Sequence, residues 1–126
     1  MAVIDSSAWI AFFLQSSVGA RVRAVRPTRR ETLALTNVQL ELMKWASRER
    51  PEIADAVLAD INRCFVIPLA TTLAEAAASL YRFDKLATAD AIIDATAQSL
   101  DADLLTCDKQ CEPLAGVTYL AKPDRS

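Results

Sequence analysis

Four acidic residues attract attention because of where each one falls along the chain: Asp5, Glu41, Asp90 and Asp108. A fifth, Asp94, follows Asp90 by four residues inside "TADAIIDATA" (88–97), a stretch otherwise built of Ala, Ile and Thr. Carboxylates bind hard cations, exchange protons or cap helices, so the rest of the chain must decide between these uses. The chain has no histidine, which excludes a Ser-His-Asp triad, a Cys-His pair and an imidazole base. Its two glycines, Gly19 and Gly116, exclude a glycine-rich dinucleotide turn and a phosphate-binding P-loop. For an enzyme, carboxylates around a bound metal are the most economical chemistry left.

The elements that would position these acids can be read from short apolar runs separated by helical segments. "AVID" (2–5) reads as a buried strand, with Ser6 or Ser7 as a cap for a helix over "AWIAFFLQ". A Ser-Ser-Val-Gly break then precedes a short helix running to about Pro27. "LALT" (33–36) is a second strand, and Asn37 is the expected cap of a helix from Val38 to about Arg48. Pro51 opens the next helix, which ends near Cys64, and "CFVIP" gives a third strand. Helices are expected at about 72–82 and 89–100, with "DLLTC" and "VTYLA" as the last two strands. Such alternation implies an α/β fold with a largely parallel sheet flanked by helices.

The 126 residues suit a single domain spanning 1–126, and a composition 52% hydrophobic and 24% charged is that of an ordinary globular chain. The longest apolar run near the start, Ala8 to Leu14, follows Asp5 with no Lys or Arg before it. Neither a secretory signal nor a membrane span is therefore expected, and a cytoplasmic location is. An odd count of three cysteines, Cys64, Cys107 and Cys111, fits reduced thiols in the interior. Cys107 and Cys111 lack the further ligands a structural zinc would need.

In a parallel sheet the chain leaves each strand at its carboxyl end and the next helix starts at that same edge, where a ligand crevice forms. Asp5 ends the first strand, Asp108 follows the fourth, Glu41 lies one turn into the helix after the second, and Asp90 opens the helix before the fourth. Taken singly, Asp90 could complement a helix N-terminus, Asp5 or Asp108 a turn, and Glu41 could pair with Lys44 or Arg48. Together they converge on one rim, where mutual repulsion is wasteful unless cations relieve it. Oxygen-only ligands suit Mg²⁺ or Mn²⁺. Asp94 lies about 40° around the helix from Asp90 and one turn deeper, so it supports the site or pairs with a basic residue.

Charge bears on partners. There are 14 basic and 16 acidic residues, and setting the four rim acids aside reverses the sign of the balance. Arg21, Arg23, Arg26, Arg29 and Arg30 crowd one stretch, either a solvated face or a basic edge for phosphates. On the helix from Val38 to Arg48, Val38, Leu40, Leu42, Met43, Trp45 and Ala46 span roughly 220°, against about 100° for a one-sided surface helix. That helix is either deeply buried or shared between the core and a second protein chain.

The pieces "VIDSSAWIAFF", "LTNVQLELMKWA", "LATADAIIDATAQSLDADLLTCDK" and "VTYL", in this order and at this spacing, resemble the PIN-domain nucleases, specifically the VapC toxins of bacterial toxin-antitoxin pairs. The resemblance covers essentially the whole chain. It implies a PIN-like fold with a central, mostly parallel five-stranded sheet, and a metal-dependent endoribonuclease leaving 5′-phosphate and 3′-hydroxyl ends. By motif position Asp5, Glu41, Asp90 and Asp108 would be the catalytic, Mg²⁺-holding acids, with Ser6 and Thr106 as supporting polar groups. The partners it implies are RNA, transfer RNA being the commonest target class, a cognate VapB-type antitoxin laid across the acids, and a second copy in a homodimer. The family's last motif often carries a further acid and then a phenylalanine; here Lys109, Gln110 and Cys111 follow Asp108. A PIN nuclease of housekeeping RNA processing and a non-catalytic PIN interaction module are the alternatives. A phosphatase with an aspartate nucleophile fits less well, since Asp5-Ser6-Ser7 replaces the Asp-x-Asp pair it typically uses.

Overall fold

The computed structural model describes residues 1–26, 28, 31–84, 88–114 and 116–121, with backbone alone for 81–84. Five strands, β1 (Ala2–Ile4), β2 (Thr32–Leu35), β3 (Phe65–Ile67), β4 (Asp103–Thr106) and β5 (Val117–Tyr119), form one sheet in the order β3-β2-β1-β4-β5. Every pairing is parallel, with Val3 opposite both Leu33 and Leu104. Apart from the exposed Asp103 that opens β4, the three central strands are buried on both faces, as their mainly apolar sequences require.

The helices are α1 (Ser6–Phe13), α2 (Ser17–Val25), α3 (Thr36–Glu49), α4 (Ala54–Asn62), α5 (Thr71–Asp84) and α6 (Thr88–Ser99). Connections from β1 to β2 to β3 step outward on one side, and the connection from β3 returns across β1 to β4. Right-handed crossovers then put α1 to α4 over one face and α5 with α6 over the other. The reversal falls between β1 and β4, so the carboxyl ends of these two strands flank the crevice of the sheet. Among the described residues, the link from β4 to β5 holds a 3₁₀ turn, Lys109–Cys111. No helix among the described residues is long and apolar enough to cross a membrane.

Several local details differ from the sequence reading. Asp5, not Ser6 or Ser7, caps α1. Ser16 caps α2 and Gly19 lies inside it, where an added Cβ would meet the Ala11 carbonyl oxygen at 2.0 Å; the close approach of α1 and α2 requires a glycine there. α3 begins at Thr36 with Leu35 in the cap position, so Asn37 is helical and its side-chain amide atoms are buried without a hydrogen-bond partner among the described residues. Pro27, where the second helix was expected to stop, lies outside the described residues.

Candidate metal centre

Asp5 leaves β1 at the crevice and is only 3% exposed. Its Oδ1 accepts hydrogen bonds from the Ala8 amide (2.9 Å) and the Ser7 hydroxyl (2.6 Å), and its Oδ2 accepts one from the Thr106 hydroxyl. It therefore caps a helix and faces the rim at once. Burial pushes its pKa up; the bonds from Ser7, Thr106 and Ala8 pull against that, and the charge of Asp108 adds to the rise.

The partner strand delivers the matching acid. Thr106 closes β4, and its hydroxyl accepts the Asp108 amide at 2.9 Å while donating to Asp5. Asp108 itself caps the 3₁₀ turn, its Oδ1 accepting the Gln110 amide at 3.0 Å. Asp90 stands in the first turn of α6 and Glu41 in the second turn of α3, whose Oε2 accepts the Ser6 hydroxyl at 3.1 Å.

These placements bring the four acids together. The Asp90 pKa is pushed up to about 6, first by burial, then by the charges of Asp108 and Asp5, a hydrogen bond with Asp108, and the charge of Glu41. Among the described residues, no Lys or Arg forms an ion pair with any of the four. A rim of unneutralised oxygen donors fits a hard divalent cation, which would relieve the repulsion.

Asp94, one turn beyond Asp90, is 1% exposed and accepts the Gln98 side-chain amide at 2.9 Å. Its charge, like those of Asp90, Asp108 and Asp5, acts on Cys111.

Two participants escaped the sequence reading. Ser7 was weighed only as a cap, yet its hydroxyl donates to Asp5 and accepts the Cys107 amide at 3.0 Å, pinning the end of β1 to the residue after β4. Cys111 was read as an interior thiol, and it is buried; but its sulfur joins carboxylate oxygens of Asp90 and Asp108 in a group whose atoms all lie within 4.8 Å of one another. Burial and the surrounding acids push its thiol up to about 12. The three-residue spacing from Asp108 was the available signal, since a 3₁₀ turn brings i and i+3 onto one side.

The basic stretch is partly used for structure. Arg26 pairs with Asp60 at 3.5 Å and lies over the rings of Trp9 (4.8 Å) and Phe12 (5.0 Å). It also reaches the sulfur of Cys64, the residue before β3, so it sits at the amino edge of the sheet, opposite the acids. Arg29 and Arg30 lie outside the described residues.

Known proteins share this arrangement of strands. A chain of a toxin-antitoxin complex from Klebsiella pneumoniae superposes with a TM-score of 0.86 at 22% identity, covering 98% of this chain and 100% of that one. VapC20 of Mycobacterium tuberculosis, described as a sarcin-ricin loop cleaving toxin, gives 0.73 at 19% identity over 93% and 97%. DNA-bound VapBC from Salmonella typhimurium gives 0.69 at 20% identity over 94% and 95%. At these identities the likeness is one of fold. No curated protein sequence matches significantly. The PIN domain family model, however, matches residues 2–116, from the start of β1 to the threshold of β5, and so takes in every acid of the rim. The chain belongs to the PIN domain family.

Proposed function

We propose that residues 1–126 act as one PIN domain, a metal-dependent endoribonuclease toxin of a VapBC-type pair that hydrolyses RNA phosphodiester bonds and is held inactive by a cognate antitoxin. The observation that carries this is the convergence of Asp5, Glu41, Asp90 and Asp108 without a basic partner among the described residues. The solved folds named above, two of them parts of toxin-antitoxin complexes, support the toxin reading over a housekeeping nuclease.

Asp5, Asp90 and Asp108 would hold Mg²⁺ or Mn²⁺, with Glu41 completing the acidic wall. Bound there, the ion would supply a polarised water and positive charge for the phosphate in flight. The protein's own contribution is placement. Ser7, Thr106 and the Ala8 amide fix both oxygens of Asp5, Thr106 sets the backbone from which Asp108 projects, and Ser6 orients Glu41. Asp94, buried behind Asp90, holds negative potential at the base of the site. Placement of this kind makes catalysis a matter of pre-set charge.

An apolar cavity of about 440 Å³ between α5 and α6, lined by Leu69, Ala74, Ala77, Ala78, Thr88, Ala91 and Ile92, opens beside the site, with Thr88 and Ala91 bracketing Asp90. An antitoxin segment laid there, with a basic side chain toward the acids, would block RNA and neutralise the rim together.

The deciding experiment is cleavage of total cellular RNA by purified wild type and by Asp90→Asn, each in Mg²⁺ and in excess chelator. Discrete fragments from wild type in Mg²⁺ alone are expected. Cleavage that persists in chelator would refute the mechanism; none from either folded, antitoxin-free protein would leave a partner-binding module instead.

A further inference from the structure

We propose that Cys111 turns this rim into a mixed oxygen and sulfur centre, in which a thiophilic divalent cation such as Zn²⁺ is bound by Asp90, Asp108 and Cys111. The inference rests on the reading of the acids as a metal site and adds a second class of ion that the same rim can hold beside Mg²⁺ or Mn²⁺. Three observations carry it. The sulfur and a carboxylate oxygen of each aspartate lie within 4.8 Å of one another. Tetrahedral ligands of one zinc ion sit about 3.6 Å apart, given bonds of about 2.1 Å to oxygen and 2.3 Å to sulfur, so rotamer shifts that draw the three atoms in by about 1 Å close the set. Cys111 is 1% exposed, and its sulfur takes part in no hydrogen bond among the described residues, so a buried donor faces the acids with nothing else to bind.

Local chain geometry puts it there. Asp108 caps the 3₁₀ turn that ends at Cys111, so acid and thiol come from one rigid turn, while Asp90 approaches from the start of α6. An all-oxygen rim binds hard ions; a sulfur donor adds a preference for soft ones. On coordination the thiol S–H bond breaks, its proton passes to solvent and the metal–sulfur bond forms, with no change in oxidation state.

The test is a titration of the whole chain with Co²⁺, followed by competition with Zn²⁺, Mn²⁺ and Mg²⁺. Wild type should show a sulfur-to-cobalt charge-transfer band in the near ultraviolet, retained when Cys64 and Cys107 are both changed to Ala and lost in Cys111→Ser. Zn²⁺ affinity should fall at least roughly 100-fold in Cys111→Ser, since even outer partners of metal ligands are worth about 10- to 100-fold, while Mn²⁺ affinity is unchanged. Should Cys111→Ser fail to fold, the wild-type band and its persistence in the double variant decide by themselves. Co²⁺ bound without a charge-transfer band, and lost in Asp90→Asn, would overturn the sulfur ligand and leave the acid site standing. If neither wild type nor Asp90→Asn binds any of these ions, both readings fall.

Discussion

Thr106 donates its hydroxyl hydrogen to Asp5, 101 residues away, and with the same oxygen accepts the amide of Asp108. One hydroxyl thus sets the spacing of two acids across the junction of β1 and β4. Thr106→Val keeps the shape but removes both bonds, leaving the buried Asp5 oxygen short of a donor at a cost of about 1–3 kcal/mol. RNA cleavage is expected to fall at least about tenfold, a misplacement effect, with the fold intact by circular dichroism, and Thr106→Ser should restore most of it. Equal activity of Val and Ser variants would show that the bond does not position the site.

Asp90 makes the metal-free protein sensitive to pH. Its carboxyl holds a proton up to about pH 6 when folded, against an ordinary value of 3.8. Between these values folded Asp90 binds more protons than unfolded Asp90, so its contribution to stability is fullest below 3.8 and is lost as pH rises through 6. In chelator, Asp90→Asn should therefore melt higher than wild type at pH 7.5. The advantage, about 1–2 kcal/mol once solvent screening at this half-buried group is allowed for, should vanish near pH 4. Melting curves from pH 4 to 8 check this; a variant less stable at pH 7.5 contradicts it.

The acids were legible early because parallel topology alone sends Asp5, Asp108 and the starts of α3 and α6 to one edge. No long-range contact had to be known. What escaped depended on such contacts: Ser7 finds its second partner at Cys107, and Arg26 finds its partners at Asp60 and Trp9. The start of α3 was misjudged for a different reason. Asn37 is a favoured cap by type, but the preceding strand ends at Leu35 and the chain turns at once into the helix, leaving no extended residue for Asn37 to occupy.

Asp94 is expected to act through Asp90 and the metal, not on RNA. Asp94→Asn keeps size and the Gln98 contact but removes a buried charge behind the rim. Metal affinity should fall roughly 10- to 100-fold, as for outer partners of metal ligands, with saturating metal recovering much of the activity. Unchanged affinity and unchanged cleavage would exclude the role.

Arg26 offers a test of where RNA does not bind. Its side chain is 10% exposed, paired to Asp60 and laid over two aromatic rings. Arg26→Ala should lower stability by about 2 kcal/mol, from the lost cation–π contacts and the lost bond to Asp60. The salt dependence of RNA binding by Asp90→Asn protein should be the same with and without it, because a residue that contacts no phosphate releases no counterion. A shallower slope would place the backbone path at the amino edge.

The last expectation concerns a second copy. α3 buries Val38, Leu42 and Ala46 completely but leaves Leu40 61% exposed on its other side. Leu69, which is 42% exposed, donates its amide to Thr36 at the start of α3, and Phe65 of the edge strand β3 is 62% exposed. The apolar breadth of α3 is thus only partly used by the core, and apolar side chains stand uncovered beside an open sheet edge, where a partner chain gains most. We expect a homodimer by light scattering, and a monomer for Leu40→Asp. Because Leu40 is 61% exposed while Val38, Leu42 and Ala46 form the buried stripe, the variant should keep its melting temperature at high dilution. Wild type that stays monomeric at high concentration would remove the dimer and leave the breadth of α3 to the antitoxin or to solvent.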